Sequence, residues 1–150
     1  MPFGIRTIHR PDKTMSYKFS ICHPEKEEIE YPNTTLNSEQ VKELATKYPW
    51  ESELRKLKTM RFEEIHYNPS VDFTNQSNNR SFCLTVEREP ENFKFSVWYN
   101  RPKMKKVLFG LLGQKEKLEV IDKSFTQEEA YKLLDVFLSG DYLAVEKEMN

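Results

Sequence analysis

Three histidines, two cysteines and a surplus of carboxylates are the side chains with which this chain could do chemistry, and their spacing decides how far that reaches. A metal centre needs several N, S or O ligands, usually at short recurring intervals. His9, His23 and His66 are dispersed, and no C-x-x-C, H-x-x-x-H or H-E-x-x-H spacing occurs, although His23 follows Cys22 directly. Ordinary surface or structural histidines are the expectation. Neither Cys22 nor Cys83 has the context of a nucleophile, and no G-x-S-x-G elbow is present. The four glycines, at 4, 110, 113 and 140, form no phosphate-cradling loop. Glu63, Glu64 and His66 make an acid/base cluster on paper. On a strand, however, Glu64 and His66 share a face while Glu63 points away, which reads as a solvated surface. No catalytic residue, metal ligand or cofactor is assigned.

Two charge blocks and one aromatic carry more information. Glu25, Glu27, Glu28 and Glu30 place four carboxylates in six residues, and Arg101, Lys103, Lys105 and Lys106 place four cations in six. Such blocks are either solvated loops or surfaces that steer a charged partner. The acidic block suits a basic partner, including a nuclease built to hold phosphate. Trp98 lies opposite the apolar run Phe93, Phe95, Val97, Tyr99. It is an exposed interface aromatic if that face is open, and core if helices between Val41 and Leu57 cover it. The candidate partner-binding residues are therefore Glu25, Glu27, Glu28, Glu30, Trp98, Arg101 and Lys103.

These residues need elements to hold them. Met15 to Cys22 alternates apolar and polar residues and predicts a half-buried strand, and Ile29 and Tyr31 extend a short second one. Asn37 and Gln40 form a capping box before the stripe Val41, Leu44, Ala45, Tyr48. Pro49 ends that helix, and Trp50, Leu54 and Leu57 mark a second. Met60 to Tyr67 reads as an imperfect strand and Asn68 to Arg80 as a long loop. Phe82, Leu84 and Val86 alternate next, Arg88 to Asn92 makes a hairpin, and Phe93 to Tyr99 forms the following strand. Asn100 to Lys103 reads as a turn, Val107 to Leu112 as a strand covered on both sides, Gly113-Gln114 as a turn, and Leu118 and Val120 as a further strand. Thr126 and Glu129 cap a helix with Ala130, Leu133, Leu134, Phe137 and Leu138 on one stripe. Gly140 ends it, and Asp141 caps a short terminal helix. The fold class expected is α+β: one domain over 1–150, an antiparallel β-meander of four or more strands packed with helices before and after it.

Composition bounds the rest. A net charge of -1 argues against a general nucleic-acid binder. No apolar run approaches a membrane span and no signal-peptide core opens the chain, so a cytoplasmic protein without membrane partner is expected, with reduced core cysteines. The terminal block Phe125-Thr-Gln-Glu-Glu-Ala-Tyr-Lys-Leu-Leu-Asp-Val-Phe-Leu-Ser-Gly-Asp-Tyr142, after an aromatic sheet, resembles small immunity proteins of bacterial polymorphic-toxin systems. That resemblance implies a small α+β or helical domain that blocks one cognate toxin without catalysis, and it assigns no site residues. The leading expectation is a non-enzymatic protein-binding domain of this immunity type. The alternatives are an enzyme or small-ligand binder assembled from residues such as His66, Glu64 and Tyr99, or a nucleic-acid module using Arg101 to Lys106. Oligomeric state and partner identity stay open.

Overall fold

The structure is a computed structural model that describes residues 15–106 and 114–150, with the backbone alone described for 102–106 and 114–119. Five strands form one antiparallel sheet in sequence order: β1 (Tyr17–Cys22), β2 (Ser70–Asn75), β3 (Ser81–Glu89), β4 (Asn92–Lys106) and β5 (Gln114–Phe125). Helices α1 (Ser38–Lys47) and α2 (Trp50–Thr59) lie between β1 and β2, while α3 (Gln127–Leu138) and α4 (Tyr142–Met149) follow β5. This is the α+β meander expected from the alternation of apolar residues.

The register sorts every strand into two faces. Tyr17, Phe19 and Ile21 align with Asn75, Phe73 and Val71; Phe73 and Val71 align with Phe82 and Leu84, and those with Tyr99 and Val97. That face is the core: Val71, Phe73, Phe82, Leu84, Phe95, Val97 and Tyr99 are fully buried. All four described helices cover it. Trp50 stacks edge-on against Phe95 with ring centroids 4.9 Å apart, and its indole N–H donates to the Ala45 carbonyl at 2.7 Å. Phe137 of α3 contacts the rings of Tyr17, Phe82, Tyr99 and Tyr142. The helices therefore sit on the face opposite Trp98, so of its two readings the open face is the one observed among the described residues.

The predicted caps are present. Asn37 accepts from the Gln40 backbone N–H at 2.9 Å while the Gln40 side chain accepts from Asn37, and Thr126 and Glu129 do the same for α3. Gly140 closes α3 at φ +83°, where a side chain would strain the backbone, and Asp141 caps α4 through Ala144 N–H.

Elsewhere the sequence misled. Met60–Tyr67 holds a short 3₁₀ turn at Phe62–Glu64 instead of a strand. The expected loop Asn68–Arg80 contains β2. The expected turn Asn100–Lys103 lies inside β4, which runs on through Lys106. The second strand expected at Ile29 and Tyr31 shrinks to one bridge, Glu30 with Ile21; a matching bridge joins Leu36 to Tyr17. Both bridges lie on the outer edge of β1, and Tyr17 and Ile21 each donate and accept there. Strand alternation turns the Phe19 N–H and C=O to the same edge, in the gap between them. The covered strand read at Val107 to Leu112 and the turn at Gly113 lie outside the described residues.

Candidate functional site

The acidic block divides in two. β1 ends at Cys22, and the next residues curl back so that the Glu30 backbone pairs with Ile21. This turn brings Glu25 against α2 and Glu30 against His23. His23 Nε2 lies 3.1 Å from Glu30 Oε1, and Lys56 Nζ donates to Glu25 Oε2 at 2.5 Å and lies 3.3 Å from Glu53 Oε2. Lys56 holds the Glu25 carboxyl below its ordinary range, and Glu25 in return raises Lys56. Burial, then the carboxylates of Glu53, Glu30 and Glu25, push the Tyr48 hydroxyl above its usual value. Ligand atoms of His23, Glu25 and Glu53 lie within 4.8 Å of one another. An ion seated there would have to displace the Lys56 ammonium, which already compensates two of the carboxylates. Glu53 Oε2 is buried without a hydrogen bond, so Lys56 meets its charge but not its lone pairs. The cluster acts as an ion-paired latch between the β1–α1 connection and α2. Glu27 and Glu28 point away and are exposed, and the Glu27 carbonyl accepts from the Tyr67 hydroxyl.

Trp98 lies on the sheet's outer face, on the fourth of its five strands. Its row across the strands is Ser20, Asp72, Cys83, Trp98, Asp122. The rows beside it contain Lys18, Thr74, Ser81, Asn100 and Val120, and Cys22, Ser70, Thr85, Ser96 and Ser124. Small polar residues surround the indole, which is 41% exposed. Among the described residues no helix lies over this face. Asn100 donates to Ser81 Oγ at 2.7 Å, while its own carbonyl oxygen is buried without a partner. Both cysteines are free thiols on this outer face, which corrects their expected place in the core. Burial and the neighbouring Asp72 push the Cys83 thiol up to about 12, far from a reactive thiolate.

The basic block is also divided. Arg101 falls on the helix side of β4 and its guanidinium pairs with Glu146 of α4. It fastens the C-terminal helix, so Arg101 is held in an ion pair within the chain. Lys103 stands opposite Lys117 in the β4–β5 register. The alternative catalytic trio does not share a site. Glu64 is engaged by Arg61 at 3.1 Å, His66 is exposed, and Tyr99 is buried on β4 with its hydroxyl accepting from Arg80. Among the described residues no hydrogen bond or ion pair connects the three.

Sequence reasoning missed Glu53, Lys56 and Asp72. Glu53 and Lys56 carry a local signal, an i,i+3 pair on a helix, but their meeting with Glu25 depends on how α2 packs. Asp72 was hidden by reading its strand as loop. The chain matches no family model, no curated protein and no solved structure.

Proposed function

We propose that this chain is a non-enzymatic protein-binding domain, and more specifically an immunity-type inhibitor that occludes a cognate toxin enzyme. The observation that supports this reading is Trp98, a large aromatic held partly in solvent on an inner strand of the sheet and surrounded by small side chains. Tryptophan is the residue type most enriched at the centres of protein interfaces, and a flat sheet face presents it without further ordering cost. The exposed carboxylates of Asp122, beside Trp98 in the register, and of Glu27 and Glu28 suit a partner with a basic surface.

Immobilised protein and its Trp98→Ala variant, exposed to lysate of the source cell, test this reading. The parent retains a basic enzyme and lowers that enzyme's activity, and the variant binds at least ~30-fold more weakly at unchanged thermal stability. Equal retention by the two proteins, or retention without loss of the partner's activity, would overturn it.

A further inference from the structure

His23, Glu25 and Glu30 follow one another along the turn after β1, and Glu53 reaches the same point from α2. His23, Glu25 and Glu53 bring one imidazole nitrogen and two carboxylate oxygens within 4.8 Å of one another. Glu30 Oε1 stands 3.1 Å from His23 Nε2, so a third carboxylate borders the group. Among the described residues Lys56 is the one ammonium paired with this set, at 2.5 Å from Glu25 Oε2 and 3.3 Å from Glu53 Oε2. Two signs of uncompensated negative charge remain. Glu53 Oε2 is buried and accepts no hydrogen bond. The Tyr48 hydroxyl is pushed up, by burial first and then by the charges of Glu53, Glu30 and Glu25.

An imidazole nitrogen beside two or three carboxylate oxygens is a ligand set for a divalent transition ion, zinc above all; calcium and magnesium take oxygen alone. Zinc holds such ligands at about 2.0–2.2 Å, which places tetrahedral ligand atoms roughly 3.4 Å apart. The wider observed spread suits the ammonium, a larger cation that touches the same oxygens from further away. Closing the set onto a smaller ion needs movement of only two side chains. Glu25 and Lys56 both reach solvent and can turn, whereas His23 and Glu53 are mostly buried and stay. The imidazole offers its Nε2 lone pair once its proton sits on Nδ1.

We propose that His23, Glu25 and Glu53, with Glu30 as a fourth ligand, form a structural zinc-type site in which the ion and the Lys56 ammonium are alternative occupants. The dication answers three carboxylates with twice the charge of the ammonium, and it engages the lone pairs of Glu53 Oε2 that Lys56 leaves unused. Four protein ligands leave no open position for a substrate, so the ion fastens the β1–α1 connection to α2 and performs no catalysis. The site lies outside any motif because Glu53 joins it through the packing of α2 alone. It involves no residue of the face that carries Trp98, and it stands independently of partner binding there.

Calorimetric titration of the untagged, metal-free full chain with zinc chloride tests the proposal, alongside thermal melts with and without zinc. Expected is one zinc per chain and a melting temperature raised by the ion. Lys56→Ala removes the competing ammonium. Without zinc it should melt below the parent, because the carboxylates lose their cation, and it should bind zinc at least ~10-fold more tightly. His23→Gln should weaken zinc binding at least ~30-fold while melting near the parent in the absence of zinc. Should Lys56→Ala fail to fold even with zinc, the comparison of parent with His23→Gln decides alone. Three results would each overturn the proposal: no zinc binding by the parent or by Lys56→Ala, equal binding by the parent and His23→Gln, which marks an adventitious ion only, or a folded Lys56→Ala that binds zinc no more tightly than the parent.

Discussion

Asp72 lies on the outer face of β2, accepting one hydrogen bond, from Thr74 at 3.2 Å, and it shows what the flat polar face costs. Burial pushes its carboxyl up to about 6 from an ordinary 3.8, and the Thr74 bond offsets part of that. The folded protein thus holds this proton more tightly than the unfolded chain does. The associated stability is fully present below the ordinary value and is lost as pH rises through about 6. Asp72→Asn should therefore be more stable than the parent above that pH by about 1–3 kcal/mol, with the difference closing towards pH 4. Thermal denaturation across this range measures it, and parallel pH profiles for the two proteins would show that Asp72 is not held this way. Little of this was legible in advance. Trp98 could be placed opposite the core by simple alternation. The pairing of Glu25 with Lys56, which stand 31 positions apart, has no local signature, because only the packing of α2 brings them together.

Helices were easier to read than strands. The capping boxes at Asn37 and Thr126 satisfy backbone donors within four residues, so their whole logic is local. β2 was lost because Pro69 and the Asn/Ser residues around it signal loop, although Val71 and Phe73 alternate with Ser70, Asp72 and Thr74. Pro102 gave a false turn for a different reason. Beyond Asn100 the β4 strand has a neighbour on one side only, so a proline's missing N–H can face the free edge without breaking a ladder. The edge of β1 offers a sharper test. Tyr17 and Ile21 donate to Leu36 and Glu30, whereas no described backbone group meets Phe19 between them. The chain's excursion through Tyr31–Thr35 opens a cleft of about 630 Å³ there. Hydrogen exchange followed by NMR should find the Phe19 amide at least ~10-fold faster than those of Tyr17 and Ile21. Equal protection of the three would mean that the edge is sealed throughout.

Across the whole molecule, the meander order followed from short links between alternating segments, but the side of the sheet on which the helices gather did not. That choice depends on which face is the more apolar over five strands at once, and two of those strands had been drawn with wrong limits. The C-terminal helix is fastened to distant parts of the chain. Arg101 pairs with Glu146, Arg80 lies over the Tyr142 ring, and the Tyr142 hydroxyl accepts from Asn75 at 3.1 Å and Asn78 at 3.0 Å. Asn75 is fully buried, so Tyr142→Phe leaves its amide without that acceptor. A loss of about 1–2 kcal/mol is expected, seen as a melting temperature lower by roughly 2–8 °C; an unchanged melting temperature would show that the network contributes nothing net. The two bridges on β1 have a consequence of another kind. An open sheet grows by accepting a strand from another copy, and its two edges are the doorways through which such polymers begin. At β1 residues 30 and 36 already stand in the frame, leaving a single rung on which no foreign strand can gain a run of bonds. Among the described strands, fibre growth by strand addition is left with the outer edge of β5 and the edge of β4 beyond Asn100, which is where changes made to keep concentrated stocks monomeric belong.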